Sequence, residues 1–206
     1  MDVLAKLATF VGALVLCGVA SAGAIDQLNR FVKETRSADG RFVQRVTAGT
    51  RAKDENSEGR FAFERPGRFR WVVESPFEQL MVADGKQVYF LDKDLNQVTV
   101  RPLQDAMGAT PAAILFGASD LDSRFEILES GTAQGLDWLD AVPRDKEAGF
   151  ERIRIGFADG LPRKMVVQDA FGRTLSFEFV DLRANPALSA DLFRFTVPEG
   201  ADVVKQ

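Results

Sequence analysis

The sequence predicts a mainly β protein, one strongly curved antiparallel meander with two or three α-helices, and three observations carry that expectation. From Arg41 onward apolar and polar residues alternate in some dozen short runs, the period of a half-buried strand. Tight-turn dipeptides punctuate the runs, Asp84-Gly85, Asp159-Gly160 and Phe171-Gly172 among them. The helical stretches are too few to cover such a sheet as a second layer, so it must curl round its own apolar face. No internal repeat, linker or low-complexity tract divides the chain.

Taken in order, the first residues stand apart from the fold. Lys6 precedes an apolar run from Leu7 to Val19, and Ala20-Ser21-Ala22 is a small-x-small pattern of the kind signal peptidase cuts after. The run is too short for a permanent membrane helix. Residues 1–22 therefore read as a removed secretory signal, with Ala24 as the second choice of cleavage point, and 23–206 as a single domain. The only cysteine, Cys17, falls inside the signal, and Leu14-Val15-Leu16 before it is not a lipobox, so no lipid anchor is expected. Ile25, Leu28, Phe31 and Val32 recur at helical spacing and open the domain with an amphipathic helix. Strands are expected at 41–47, 59–65, 69–75, 78–83, 87–92 and 96–101. Thr110 as N-cap, Pro111 at the first helical position and Gly117 as a stop frame a short apolar helix, Ala112 to Phe116. Strands resume at 124–130, 135–141, 151–158, 162–170, 174–182 and 193–197.

Successive side chains of a strand point to opposite faces, so parity sorts the sheet into two surfaces. Phe61, Phe63, Phe69, Trp71 and Val73 share one aromatic face, and Arg65 falls among them as a lone guanidinium. Ile153, Ile155 and Phe157, then Leu175, Phe177 and Phe179, then Phe193, Phe195 and Val197 supply the inner face further along. With 17 phenylalanines against a single tyrosine, the enclosed surface is aromatic and nearly free of hydroxyls. Parity alone is equally compatible with a packed core and with an open apolar cavity.

Composition narrows the chemistry further. The 26 basic and 30 acidic residues leave a net charge of −4, which disfavours nucleic acid as a partner. The chain has no histidine, and without the signal it has no cysteine, which removes the common zinc sets and the Ser-His and Cys-His nucleophile systems. Asp92-x-Asp94-x-Asn96 imitates the start of a calcium loop, but Gln97 occupies the glycine position and Leu103 the closing glutamate. There is neither a Gly-x-Ser-x-Gly elbow nor a P-loop. No catalytic residue, metal or cofactor is expected, and the protein reads as a binder and not an enzyme.

The combination "ERPGRFRW", "SPFEQLMVADGKQVYFLDKDLNQVTV", "TPAAILFG" and "FRFTVPEGADV" resembles the LolA family of outer-membrane lipoprotein carriers along nearly the whole mature chain. The resemblance implies an unclosed β-barrel, a half-barrel, with the helices as an internal lid over a hydrophobic cavity. It also implies a periplasmic, monomeric chaperone that takes acylated lipoproteins from an inner-membrane ABC transporter and passes them to an outer-membrane receptor. In that family the arginine of the Arg-Pro motif latches the lid, and Arg65 is the matching position. The cavity is then expected to be lined by Phe61, Phe63, Phe69, Trp71, Ile114, Leu115, Phe116, Ile153, Ile155, Phe157, Phe177 and Phe179. A guanidinium on the rim can donate to the uncapped carbonyls at the C-terminal end of a short helix, an end that the Ala113–Gly117 segment provides. Two alternatives stay open: a solvated arginine in a strand-to-strand turn, and a periplasmic lipid-binding sensor domain of related half-barrel fold. The intact mass of the exported protein is expected to correspond to a chain starting at Gly23, with no diacylglycerol attached; a species retaining an acylated Cys17 would contradict both the processing and the carrier reading.

Overall fold

A computed structural model describes residues 23–47, 55–107, 114–115 and 121–206; the expected signal segment 1–22 and Phe116 lie outside the described residues. The domain opens with α1 (Ala24–Glu34), followed by β1 (Ser37–Thr47), β2 (Glu55–Glu64), β3 (Arg68–Ser75), β4 (Gln79–Asp84), β5 (Gln87–Asp92) and β6 (Gln97–Pro102). Two short helices, α2 (Leu103–Met107) and α3 (Leu121–Arg124), precede β7 (Phe125–Ala133), β8 (Leu136–Pro143), β9 (Phe150–Ala158), β10 (Leu161–Asp169) and β11 (Thr174–Ala184). A 3-10 turn (Ala190–Phe193) and β12 (Asp202–Lys205) end the chain.

All twelve strands form one sheet in the order β12-β6-β5-β4-β3-β2-β1-β11-β10-β9-β8-β7. Hairpins account for most neighbours, and the antiparallel pairing of β1 with β11 joins the two meanders side by side. Strands β7 and β12 are the free edges, so the barrel does not close. Its curvature follows from the core: apolar residues of β1–β5, β7–β11 and α1 belong to one contiguous cluster, which a flat sheet could not assemble. The expected strand positions hold to within a few residues from β2 to β11, because turn chemistry ends the strands where the dipeptides stand. At Asp84-Gly85 the Asp84 carboxylate accepts from the N–H groups of Lys86 and Gln87, each at 2.8 Å.

The last expected strand is a correction. Residues 193–197 do not pair; Phe193 closes the 3-10 turn packed against β3 and β4, and the chain then runs over the outer face of the sheet. Phe195 stacks on Tyr89 with ring centroids 4.9 Å apart, covering a second cluster of Leu91, Val98 and Val100, while Val197 is exposed. The outer face of β4–β6 is itself apolar and needs cover. The alternation in "FRFTV" serves that face, and Phe193, Phe195 and Val197 are not inner-face residues of a strand. Residues 65–67 also differ from the expected register: they form the turn that joins β2 to β3, so Pro66 takes no place in the ladder.

Close packing on the concave side depends on one missing side chain. Phe42 stacks on Trp71 at 3.9 Å between centroids, directly above Gly59. A Cβ on Gly59 would lie 1.9 Å from the Val72 carbonyl oxygen and 2.8 Å from the Phe42 ring. Gly59→Ala is expected to destabilise the fold by at least about 1–3 kcal/mol, the usual cost of overpacking, read as a lower urea midpoint with an unchanged m-value. An unchanged midpoint would mean that β2 and β3 can part without loss.

Candidate functional site

The concave face is built by alternate residues of neighbouring strands. Phe61 pairs with Trp71 and Phe63 with Phe69 across β2 and β3, which puts all four on one surface. Phe179 of β11 meets Phe61 edge-on at 5.6 Å, and Phe177 meets Trp71 in the same way at 5.9 Å. Ile153, Ile155 and Phe157 of β9 extend the surface on the other side and are fully buried. Ile114 and Leu115 are helical and buried in the same cluster. Trp71 and Phe177, with Val73, Met81 and Leu175, are only partly buried. The structure thus brings together every expected lining residue that it describes. Phe42 was missed by sequence reasoning, although Ala38, Gly40 and Phe42 share one parity of β1 and Phe42 sits at the centre of the aromatic group.

In this structure helical residues cover part of the concave face. The buried stripe of α1, Ala24, Leu28 and Phe31, packs into it over β7–β10, and Phe31 touches Phe63 edge-on at 6.2 Å. An open groove of about 1070 Å³ lies instead on the outer face, lined by residues such as Arg41, Arg60, Arg70, Leu188 and Leu192. Its arginines are engaged: Arg41 with Asp181, Arg60 with Glu74, and Arg70 with the Leu192 carbonyl. The aromatic surface, and not this groove, is where hydrocarbon would be taken from water.

Arg65 is a charged side chain that reaches the boundary between the helical residues and the sheet. Its own N–H donates to the Arg36 carbonyl at 2.8 Å, which fixes the turn against the end of α1. The guanidinium then forks. Nε donates to the carbonyl of Thr35, the C-cap of α1, at 3.0 Å, and Nη2 donates to the carbonyl of Leu115 at 2.8 Å. The Thr35 carbonyl, at the C-terminus of α1, lacks an intrahelical partner, so a planar cation with several donors suits it. The Phe63 and Phe31 rings lie 4.9 and 5.8 Å from the guanidinium carbon and add cation–π attraction. Nη1 is buried and has no partner among the described residues. Burial pushes the pKa of the group down to about 10, which leaves it a cation at neutral pH while penalising its charge. The solvated-turn alternative does not describe this arginine: it is in a turn, but it is bonded and largely covered.

A second polar group at the other end of α1 was not anticipated. Gln27 is only 5% exposed; its amide nitrogen donates to Asp137 at 2.8 Å, and its oxygen accepts from the Gly160 N–H at 2.9 Å. The Glu129 carboxylate accepts from the N–H groups of Ala24 and Ile25 at the first turn. A glutamine on the apolar stripe, between Ala24 and Leu28, was the available signal.

Residues 33–196 match the family described as outer membrane lipoprotein carrier protein LolA. A protein of Cupriavidus taiwanensis named outer-membrane lipoprotein carrier protein is 50% identical over 190 residues, covering 91% of this chain and 90% of its own. One of the same name from Dechloromonas aromatica is 42% identical over 204 residues, covering 99% and 98%. Among solved structures, an uncharacterized conserved protein of Thermus thermophilus superposes with a TM-score of 0.59 at 15% identity, covering 89% of this chain and 99% of its own. A LolA superfamily protein of Nitrosomonas europaea superposes at 0.51 with 10% identity, covering 85% and 99%. These two likenesses concern the fold alone.

Proposed function

The chain belongs to the LolA family of outer-membrane lipoprotein carrier proteins, and from that premise we propose how its concave face carries acylated cargo. The protein is a lipoprotein chaperone of the cell envelope. It works in the periplasm, accepting lipoproteins from an inner-membrane ABC transporter and delivering them to an outer-membrane receptor. The observation that carries the mechanism is the Arg65 fork, which ties the end of α1 to Leu115 beside the apolar surface.

The energetics require such a device. Each buried methylene is worth about 0.8 kcal/mol, so a single long acyl chain carries on the order of 10 kcal/mol of transfer energy that the carrier must supply outside the bilayer. A permanently open cavity that supplied all of it would be a trap. Here the carrier's own Ile114 and Leu115 compete with the cargo for the aromatic surface, and Arg65 stabilises their arrangement. Closure on the empty protein subtracts from the affinity for cargo, so release costs little. The partly exposed Trp71, Val73, Met81 and Phe177 give an entering chain its first apolar contact.

The test is release of lipoprotein from energised inner-membrane vesicles into the soluble fraction by the purified protein, with Arg65→Leu as the diagnostic variant. Hydrogen bonds to a charged group contribute about 1.5–3 kcal/mol, and each 1.4 kcal/mol is a factor of ten, so the variant is expected to bind an apolar probe about 10- to 100-fold more tightly. It should accept lipoprotein and hand it on poorly. A folded Arg65→Leu protein with equal or weaker probe affinity would overturn the role of Arg65, and failure of the unmodified protein to solubilise any lipoprotein would overturn the carrier reading itself.

A further inference from the structure

We infer that α1 is a fixed wall of the cargo site, held on the sheet by Gln27 and Glu129 as positioning residues, so that cargo enters without α1 leaving β7–β10. This rests on the carrier reading. It separates two parts of the filling that otherwise look alike, since both Phe31 and Leu115 are buried in the same cluster.

The separation comes from what would have to be broken. Moving α1 off the sheet would break the Gln27 bonds to Asp137 and Gly160 in one step. The Asp137 carboxylate would lose its amide donor, and the Gly160 N–H at the β9–β10 turn would lose its acceptor. Buried polar groups left unsatisfied are costly, more so than the bonds are worth when made. At the first turn the two bonds to Glu129 would go as well, along with a carboxylate placed where the helix dipole favours a negative charge. The fit there is close: a Cβ on Gly23 would lie only 2.5 Å from the carboxylate oxygen. Asp137 is itself held, accepting from the Thr132 hydroxyl at 2.7 Å.

The other end of α1 is tied to the sheet independently of Arg65. The Asn185 side chain accepts from the Arg36 N–H at 2.8 Å and donates to the Glu34 carbonyl at 3.1 Å, while the Asn185 N–H donates to the Ser37 carbonyl at 2.7 Å. Loss of the Arg65 bond to Thr35 therefore leaves α1 in place at both ends. The bond from Arg65 to Leu115 has a different character, since it links the β2–β3 turn to a residue outside this clamp. If α1 stays, its apolar stripe bounds the site on the β7–β10 side, and acyl chains are confined to the part of the concave surface formed by Phe42, Phe61, Trp71 and Phe177. The clamp then sets how much hydrocarbon the site accepts.

Hydrogen–deuterium exchange of residues 24–34 in the whole mature protein, with and without saturating cis-parinaric acid, tests this directly. Probe binding is expected to leave α1 exchange unchanged or slower. Gln27→Met preserves length and burial but cannot bridge Asp137 to Gly160, and it should speed α1 exchange about tenfold. It should also reduce the preference between C10 and C18 fatty acids, a selectivity that loss of stability alone would not alter. Glu129→Gln, which keeps one acceptor oxygen, should shift both readouts in the same direction by less, and it stands in if Gln27→Met does not fold. Faster α1 exchange in the unmodified protein on binding probe would overturn the fixed wall. So would variants with unaltered exchange and chain-length preference. Absence of any probe binding would overturn the carrier reading and this inference with it.

Discussion

A single half-buried guanidinium joins the end of α1 to Leu115, and its balance of costs governs the rest. Arg65 reaches from the β2–β3 turn to two helix carbonyls and lies over two phenylalanine rings, contacts that favour the closed form. Against them stand the burial that lowers its pKa and a buried Nη1 with no partner among the described residues. A cation removed from water recovers its hydration only through well-made bonds, and here the recovery is incomplete. In the proposed account that incompleteness is useful. The closed state is favoured enough to compete with hydrocarbon, yet close enough to balance that a membrane-bound partner can open it.

The aromatic surface supplies the other half of the balance. Phe42, Phe61, Trp71, Phe177 and Phe179 meet in stacked, tilted and edge-on pairs at 3.9 to 6.5 Å, a surface that is apolar without offering hydroxyl donors. Such a surface takes up acyl chains through area and dispersion and does not discriminate among the polar parts of different lipoproteins. Its backing is rigid: Gly59 lets the Phe42 ring lie against the sheet, and the C-terminal strap covers the outside of β4–β6 through Phe195. A firm scaffold confines the exchange between empty and loaded forms to the filling.

Much of this was legible in the sequence because strand parity and turn chemistry are local. Phe61, Phe63, Phe69 and Trp71 fall on one face by counting alone, and a turn of three residues preserves that parity across the β2–β3 connection. Arg65 stood out as a charge in that series. The destination of "FRFTV" was not legible, because alternation says that one face is covered and not which surface covers it; the apolar outer face of β4–β6 captured Phe195. The partners of Gln27 are equally non-local, since Asp137 and Gly160 lie more than a hundred residues away in the chain. A polar residue on an apolar helical stripe announces a buried bond without naming the other end.

The central claim is that the Arg65 bond to Leu115 belongs to the empty protein and is given up when cargo binds. The Nη2 group of Arg65, which donates to the Leu115 carbonyl at 2.8 Å, reports on this by NMR through its exchange with water. The account predicts a protected, slowly exchanging Nη2–H resonance in the empty protein and loss of that protection when the site is saturated with an acyl ligand. Equal protection in both states would contradict it.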